Sequence, residues 1–300
     1  MMKKLLALLT VLLLTAFLAA CGGGNEEDTS NENATDDTTA ESEESADETE
    51  ATEENIELTI GASSTPHAEI LQEAQPLLED EGISINIEEY QDYVLPNDDL
   101  ENGTLDANYF QHIPYLKQTI ADTGYELDYI DGIHVEPMGV YSQNVASVDD
   151  IEEGMEVIIS RSISDHGRIL ALFETQGLIT LDESVDKSAA TIDDIAENPL
   201  DLTFSPDVDP ALLPEMYQSE EDALVAINTN YAIEAGLSPL EDALFIEDED
   251  SEYVNVIAVR SADIENEAIT KLVEVLQSEE IQNFILENYE GAVVPVGGSN

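Results

Sequence analysis

Glu156-Val157-Ile158-Ile159-Ser160 leads into Ser164-Asp165-His166-Gly167-Arg168 and on through Ile169-Leu170-Ala171-Leu172-Phe173 to Gln176-Gly177. The first segment is a short apolar, β-branched run that reads as a strand, and Gly167 to Gln176 reads as a helix stopped by Gly177. Strand, loop and helix in succession are the repeating unit of an α/β architecture. The same alternation extends in both directions. Leu58 to Ala62 reads as a strand, and Thr65-Pro66 opens a helix whose apolar positions Ile70, Leu71, Ala74, Leu77 and Leu78 recur at helical spacing. Ile83, Ile85 and Ile87 alternate with polar residues as a second strand, Ala107 to Tyr125 starts extended and continues as a helix, and Ile133 to Ser142 is extended. Leu202 to Ser205, Leu224 to Asn228 and Tyr253 to Val259 read as further strands. Ile269, Leu272, Val273 and Leu276, then Ile281, Phe284 and Ile285, mark two closing helices that meet near Ser278. The expected class is α/β, without an internal repeat.

The N-terminus is of a different kind. Lys3 and Lys4 precede an apolar run from Leu5 to Ala20 that ends at Cys21, the only cysteine of the 300-residue chain. Residues 1–20 read as an export signal, being shorter than the roughly 20 apolar residues of a spanning helix. Leu18-Ala19-Ala20-Cys21 looks like a bacterial lipobox, in which the cysteine is acylated and becomes the new N-terminus. The expected location is the extracytoplasmic face of the cell membrane, held by a lipid on Cys21. Residues 21–55 then consist almost wholly of Asp, Glu, Ser, Thr, Asn and Ala, a disordered acidic tether that would span roughly 30 Å.

Charge narrows the partners. Asp and Glu number 68 against 8 Lys and Arg, a formal net charge of −60 spread over the whole chain. Such a surface repels nucleic acid and anionic lipid and suits an exported protein working at high salt or high pH. Past the signal only Lys117, Arg161, Arg168, Lys187, Arg260 and Lys271 are basic.

Three constellations carry chemistry. At Ser164-Asp165-His166-Gly167-Arg168 a helix N-terminus with an arginine in its first turn can hold a carboxylate, although Ser164 or Asp165 as a plain cap and Arg168 in a surface ion pair explain the same residues. Asn108-Tyr109-Phe110-Gln111-His112-Ile113-Pro114-Tyr115 packs four rings ahead of a helix, with Tyr90 and Tyr93 upstream. Aromatic walls with a few polar groups make small-ligand pockets, and core packing is the competing reading. Asn228, Asn230, Tyr231 and Asn255 place amides and a phenol in or just after two apolar strands, where they can read an amino or carboxylate group or simply form turns.

Pro66-His67-Ala68-Glu69-Ile70-Leu71, Asp92-Tyr93-Val94 with Pro96-Asn97, Leu105-Asp106-Ala107-Asn108 with Phe110-Gln111-His112 and Pro114-Tyr115, Glu136-Pro137-Met138-Gly139, Gly167-Arg168, Asn230-Tyr231-Ala232 and Tyr253-Val254-Asn255-Val256 occur in order. In these motifs residues 57 to 296 resemble the NlpA family of methionine-binding lipoproteins. The resemblance implies a two-lobed periplasmic-binding-protein fold of type II, each lobe a mixed sheet flanked by helices. Lobe 1 would take residues 56–140 plus 256–300 and lobe 2 residues 141–255, so that two crossings form a hinge. It also implies an interlobe cleft that captures methionine, or a closely related amino acid or short peptide, for an ABC importer of permease and ATPase, with no cofactor. Carried over by residue, Tyr93, Phe110, His112 and Tyr115 would surround the ligand side chain, Arg168 its carboxylate, and Asn230 and Asn255 its polar end. The chain departs from the family at Asp165, where an asparagine is usual, and at Arg161, where a smaller neutral residue is expected. Asp165 then either pairs with Arg161 or takes a ligand amino group.

Other classes have less support. A zinc- or manganese-binding lipoprotein of an ABC importer is the alternative, but His67, His112, His134 and His166 stand as singles without short paired spacing. A hydrolase would need a nucleophile and base in triad geometry, which adjacent Ser164, Asp165 and His166 do not build. The expected protein is not an enzyme.

Overall fold

The computed structural model describes residues 55–248 and 251–297. The signal read at residues 1–20, the acylation at Cys21 and the tether to residue 54 lie outside the described residues.

The elements run β1 (Ile56–Ser63), α1 (Glu69–Asp80), β2 (Ile83–Tyr90), α2 (Leu95–Glu101), β3 (Ala107–His112), α3 (Ile113–Thr123), β4 (Leu127–Val135) and β5 (Gly139–Tyr141). There follow β6 (Glu156–Ser160), α4 (Ile163–Thr175), β7 (Thr180–Leu181), β8 (Ile195–Glu197), β9 (Thr203–Val208), α5 (Leu213–Ser219), β10 (Leu224–Ile227), α6 (Thr229–Glu234) and α7 (Pro239–Asp242). The chain closes with β11 (Phe245–Ile246), β12 (Val254–Arg260), α8 (Glu267–Leu276), α9 (Glu279–Tyr289) and β13 (Val294–Pro295). One sheet has the order β13-β4-β12-β3-β1-β2, parallel among β3, β1 and β2 and antiparallel where β12 joins β3 and β4. The other has the order β11-β5-β10-β6-β9, parallel at β10-β6-β9 and antiparallel at β5. The fold is α/β with two mixed sheets, one to each lobe. The chain crosses between them after β4, through Glu136-Pro137-Met138, and again ahead of β12.

The central strands are apolar on both faces because helices cover both. In β12, Ile257 and Val259 face a core built with α1, α8 and α9, whereas Val256 and Ala258 face Leu100, Leu105 and Leu116 on the other side. In the second sheet, Val157 and Ile159 of β6 with Leu224 and Ala226 of β10 pack on Phe173 of α4. Their alternates Ile158, Val225 and Ile227 pack on Leu213 and Tyr231. The period of two sends successive side chains into separate cores, and burying each large one contributes about 1.5–3 kcal/mol. Helix α8 shows the complementary rule, with Ile269, Leu272, Val273 and Leu276 buried along one stripe and the Asn266 side chain accepting the N–H groups of Ala268 and Ile269 as its cap.

Two sequence expectations need correction. The extended stretch Ile133 to Ser142 is broken at Glu136–Met138, and its first strand begins already at Leu127. Helix α4 begins at Ile163, with Ser162 at the N-cap position, so Ser164 and Asp165 are helical residues of the first turn and not its caps. Gly167, read as the helix start, is interior. A Cβ there would collide with the backbone carbonyls of Lys187 and Ser188, which pack directly on the helix. The glycine is a notch for close backbone approach.

Gly167→Ala is expected to cost about 1–3 kcal/mol through overpacking, and to lower the melting temperature by about 2–4 °C for each kcal/mol. Thermal unfolding followed by circular dichroism checks this, and an unchanged midpoint would show that the 187–189 turn moves aside freely.

Candidate functional site

The carboxyl ends of the parallel strands in both sheets point toward one cleft, where an open α/β sheet places its ligand groups. From the first sheet come His112 at the end of β3, Tyr115 in the first turn of α3, Tyr93 ahead of α2 and Asn255 in β12. From the second come Asp165 and Arg168 on α4 and Asn228 to Asn230 after β10. These residues line one cavity. All eight positions singled out in the sequence, Tyr93, Phe110, His112, Tyr115, Asp165, Arg168, Asn230 and Asn255, are brought together there. Sequence reasoning missed Gln111, Glu136 and Thr229 as lining residues, and had named Asn228 only as a member of the strand-end amides.

One wall is aromatic. Tyr93 lies 5.8 Å from Phe110, 5.9 Å from Tyr115 and 5.0 Å from Tyr231 between ring centroids. The remaining wall is polar, and much of it is committed to contacts between lobes. The Tyr93 hydroxyl donates to Asn230 Oδ1 at 2.6 Å, and the Tyr231 hydroxyl to the Gln91 carbonyl at 3.2 Å. His112 accepts the Tyr115 backbone N–H on Nδ1 at 3.1 Å, capping α3, which leaves Nε2 to donate to Asp165 Oδ1 at 3.0 Å. Burial opposes the Asp165 charge, but His112, Arg168 and an Asn228 amide N–H outweigh it and hold the carboxyl below its ordinary range. Arg161 pairs with Asp209 at 2.5 Å on the surface, so the expected Asp165–Arg161 pair does not form. Arg168 is buried, donates through Nη2 to the Glu136 carbonyl at 2.9 Å and to the Glu247 carboxylate, and has its Nη1 3.8 Å from Asp165. Its Nε, with Asn230 Nδ2 and Asn228 Oδ1, is a buried polar atom with no protein hydrogen-bond partner among the described residues.

Behind this wall lies a cluster that spacing along the chain conceals. His67, His134 and Glu136 converge with their donor atoms within 4.8 Å of one another, the one such metal-capable group among the described residues. The histidines are 67 positions apart in the chain, so no short motif announces them. Their hydrogen bonds are those of a carboxylate clamp. His67 Nε2 lies 3.2 Å from Glu136 Oε1 and hydrogen-bonds Asn255 Oδ1 at 3.1 Å, His134 Nε2 donates to Glu136 Oε1 at 2.8 Å, and the Tyr109 hydroxyl meets His134 Nδ1. A metal here would have to displace both imidazole protons from the carboxylate. Burial pushes His67 down to about 4, so it is neutral at pH 7. Burial also works against the Glu136 charge, but His67, His134 and Arg168 prevail and keep its carboxyl below the ordinary range.

Fold and cavity together define the class, a two-lobed α/β architecture of the binding-protein kind with a pocket walled by aromatic and polar side chains. The NlpA lipoprotein family matches residues 58–297. The methionine-binding lipoprotein MetQ of Bacillus subtilis (strain 168) is 42% identical over 242 residues, covering 80% of this chain and 88% of that protein. Among solved structures, a pheromone cOB1 precursor/lipoprotein of the YaeC family from Enterococcus faecalis V583 is 46% identical with a TM-score of 0.78, covering 80% of this chain and all (100%) of the other. A nutrient binding protein from Burkholderia cenocepacia bound to methionine is 36% identical with a TM-score of 0.76, at 80% and 100% coverage. The chain belongs to the NlpA lipoprotein family, whose members are binding lipoproteins and not enzymes. No helix among the described residues is long and apolar enough to cross a membrane.

The folded chain refuses a proton at His67 that the unfolded chain accepts. The group therefore contributes nothing above about pH 6.5 and destabilises progressively as pH falls from there toward about 4, by about 3 kcal/mol in all. His67→Gln should flatten the fall in urea-unfolding stability over that interval relative to the parent; parallel curves for the two proteins would refute the assignment.

Proposed function

We propose that the protein is the lipid-anchored, extracytoplasmic receptor of an ABC importer and that it captures methionine, or a closely related amino acid or short peptide, in the interlobe cleft. The observation that carries this reading is the set of buried unpaired polar atoms on the cavity wall. Arg168 Nε and Asn230 Nδ2 are donors suited to a carboxylate, and Asn228 Oδ1 is an acceptor suited to an ammonium. Opposite them stand the rings of Tyr93, Phe110 and Tyr115, which offer an apolar slot for an unbranched side chain. A zwitterion with a thioether tail matches both walls. Relatives named for methionine binding, and one solved with methionine bound, support the same ligand.

In this reading Arg168 meets the ligand carboxylate with Asn230, and Tyr93, Phe110, His112 and Tyr115 surround the side chain. Asn255 serves the polar end. Asp165, tied to His112, joins the lobes and tunes the electrostatics of the site in place of the Arg161 pair. Lobe 1 takes residues 56–135 with 254–297 and lobe 2 residues 139–253, the crossings lying a few residues ahead of the sequence division at 140 and 255. Closure about the two crossings excludes water and strengthens the polar contacts. A permease and its ATPase receive the ligand. Residues 1–20 direct export, acylated Cys21 holds the protein at the membrane, and residues 21–55 form the tether.

Titration calorimetry in high salt with L- and D-methionine, methionyl dipeptides, zinc and manganese tests the ligand. Methionine or a methionyl peptide should bind in a chelator-treated preparation, and binding of a metal alone would overturn the reading. Arg168→Ala leaves the ligand carboxylate buried without its cation and should weaken binding by roughly 3–5 kcal/mol, on the order of a hundredfold or more; affinity equal to the parent would remove Arg168 from the site. Cys21→Ala should abolish palmitate labelling in cells and release the protein into the medium, whereas continued labelling would place the anchor elsewhere.

A further inference from the structure

We infer that Glu136 is the subsite for the ligand's ammonium group and that His67 and His134 are its positioning residues. This rests on the zwitterion reading above and deepens it. Glu136 lies in the first crossing between the lobes, is 8% exposed and lines the cavity. Its hydrogen bonds can be counted. Oε1 takes the His134 N–H and has His67 Nε2 3.2 Å away, and Oε2 takes the Asn230 backbone N–H at 3.0 Å. A carboxylate offers about four acceptor sites, so one remains on Oε2, the oxygen turned away from the imidazoles.

No ammonium or guanidinium group reaches this carboxylate among the described residues. His67 Nε2 faces two acceptors, Glu136 Oε1 and Asn255 Oδ1 at 3.1 Å, so it must carry the proton, and Nδ1 is buried without a partner. His134 Nε2 donates to Glu136 Oε1 at 2.8 Å, and its Nδ1 meets the Tyr109 hydroxyl. Arg168 touches the Glu136 carbonyl and not its carboxylate, and is already faced by Glu247 and Asp165. The negative charge of Glu136 is thus fully oriented but lacks a cation in hydrogen-bond contact. A buried charge in that condition is costly until a cation arrives, and the group that the cavity receives supplies one. Asp165, the competing carboxylate, already has the Arg168 guanidinium beside it and both its oxygens engaged by His112 and Asn228.

The clamp also aims Asn255. The His67 N–H bonds Asn255 Oδ1 while its Nε2 stays 3.2 Å from Glu136 Oε1, so one imidazole sits against two lining residues. Tyr109 and His134 contact each other inside the first lobe, and the Tyr109 ring packs edge-on against His67 at 4.7 Å. The carboxylate is therefore fixed by residues whose own rotamers are locked.

The test uses the full chain and two probes, L-methionine and 4-(methylthio)butanoate, which is methionine without its amino group. The parent should prefer methionine by on the order of a hundredfold or more. Glu136→Gln should collapse that preference by weakening methionine binding while changing affinity for the des-amino probe by less than about threefold, within the scatter of a neutral substitution. Asp165→Asn should alter affinity for both probes alike. His134→Gln keeps an N–H donor toward Glu136 and should retain the preference, whereas His134→Leu should lose much of it, a contrast that a merely structural role does not produce. Failure of the parent to bind either probe would bring down the zwitterion reading itself. Methionine binding with equal affinity for the des-amino probe in the parent, undiminished preference in Glu136→Gln, or collapse in Asp165→Asn would each overturn the Glu136 assignment and leave the receptor reading standing. If Glu136→Gln does not fold, the parent's two affinities and the His134 pair decide.

Discussion

A buried carboxylate at the first crossing bonds to both halves of the molecule. Glu136 takes the His134 N–H of the first lobe on one oxygen, with His67 packed 3.2 Å away, and a backbone N–H of the second lobe on the other, while its own carbonyl receives the Arg168 guanidinium. Breaking any one of these would leave a charge or a donor unpaired away from water, at a cost of several kcal/mol. The segment that carries Glu136 is short, bounded by β4 and β5, and contains Pro137, so its backbone has little freedom to relax. Lobe geometry and cavity wall thus share one set of hydrogen bonds, and the relation of β3 to α4 across the cleft follows from it.

Charge is handled differently inside and outside. The surface carries the bulk of a formal −60, with few cations to offset it, and its ion pairs, such as Arg161–Asp209 and Lys271–Glu274, are solvent-exposed and weak. Stability there depends on dissolved salt to screen the carboxylates. Within the cleft the screening ions are excluded, and each charge has an assigned neighbour. Arg168 sits between Glu247 and Asp165, and Asp165 is flanked by His112 and Asn228. An acidic surface can therefore be tuned to its solvent without disturbing the recognition chemistry, since the two are governed by different dielectrics.

The alternation of short apolar runs with helical periodicity was enough to reveal an α/β chain, because buried parallel strands and two-face-covered sheets leave that signature directly. The short helices α2, α5, α6 and α7 were not legible, since four to seven residues cannot display a period of 3.6 against an acidic background. The first residues of α4 were missed for another reason. Gly167 looks like a boundary in one dimension, and only the packing of residues 187–189 against it shows a glycine required for close approach. In the cleft, seven of the eight residues legible in the sequence are aromatics, amides and an arginine, types whose burial is noteworthy wherever it occurs, and the eighth, Asp165, stands out as a departure from the family pattern next to Arg168. Glu136 is one of many acids in the chain, and its neighbours His134, in β4, and His67, in the turn after β1, are separated by β12 and β3 in the sheet and by 67 positions in the chain, so no short spacing joins them.

What distinguishes this carboxylate is therefore relational: of the two buried acids of the cleft, Asp165 has the Arg168 guanidinium beside it, whereas Glu136 has no arginine or lysine at its carboxylate. The same principle explains why the cavity need not be large. With aromatic rings already stacked on one wall and the polar wall already hydrogen-bonded across the cleft, little side-chain entropy remains to be lost when the lobes are together. The atoms left without partners, Arg168 Nε, Asn228 Oδ1 and Asn230 Nδ2, are then a negative image of a small dipolar solute. An apolar group placed against them would leave all three unsatisfied, whereas an amino acid that reaches them at both ends satisfies them at once. Selectivity in such a pocket comes from the cost of unmade hydrogen bonds more than from the strength of those formed.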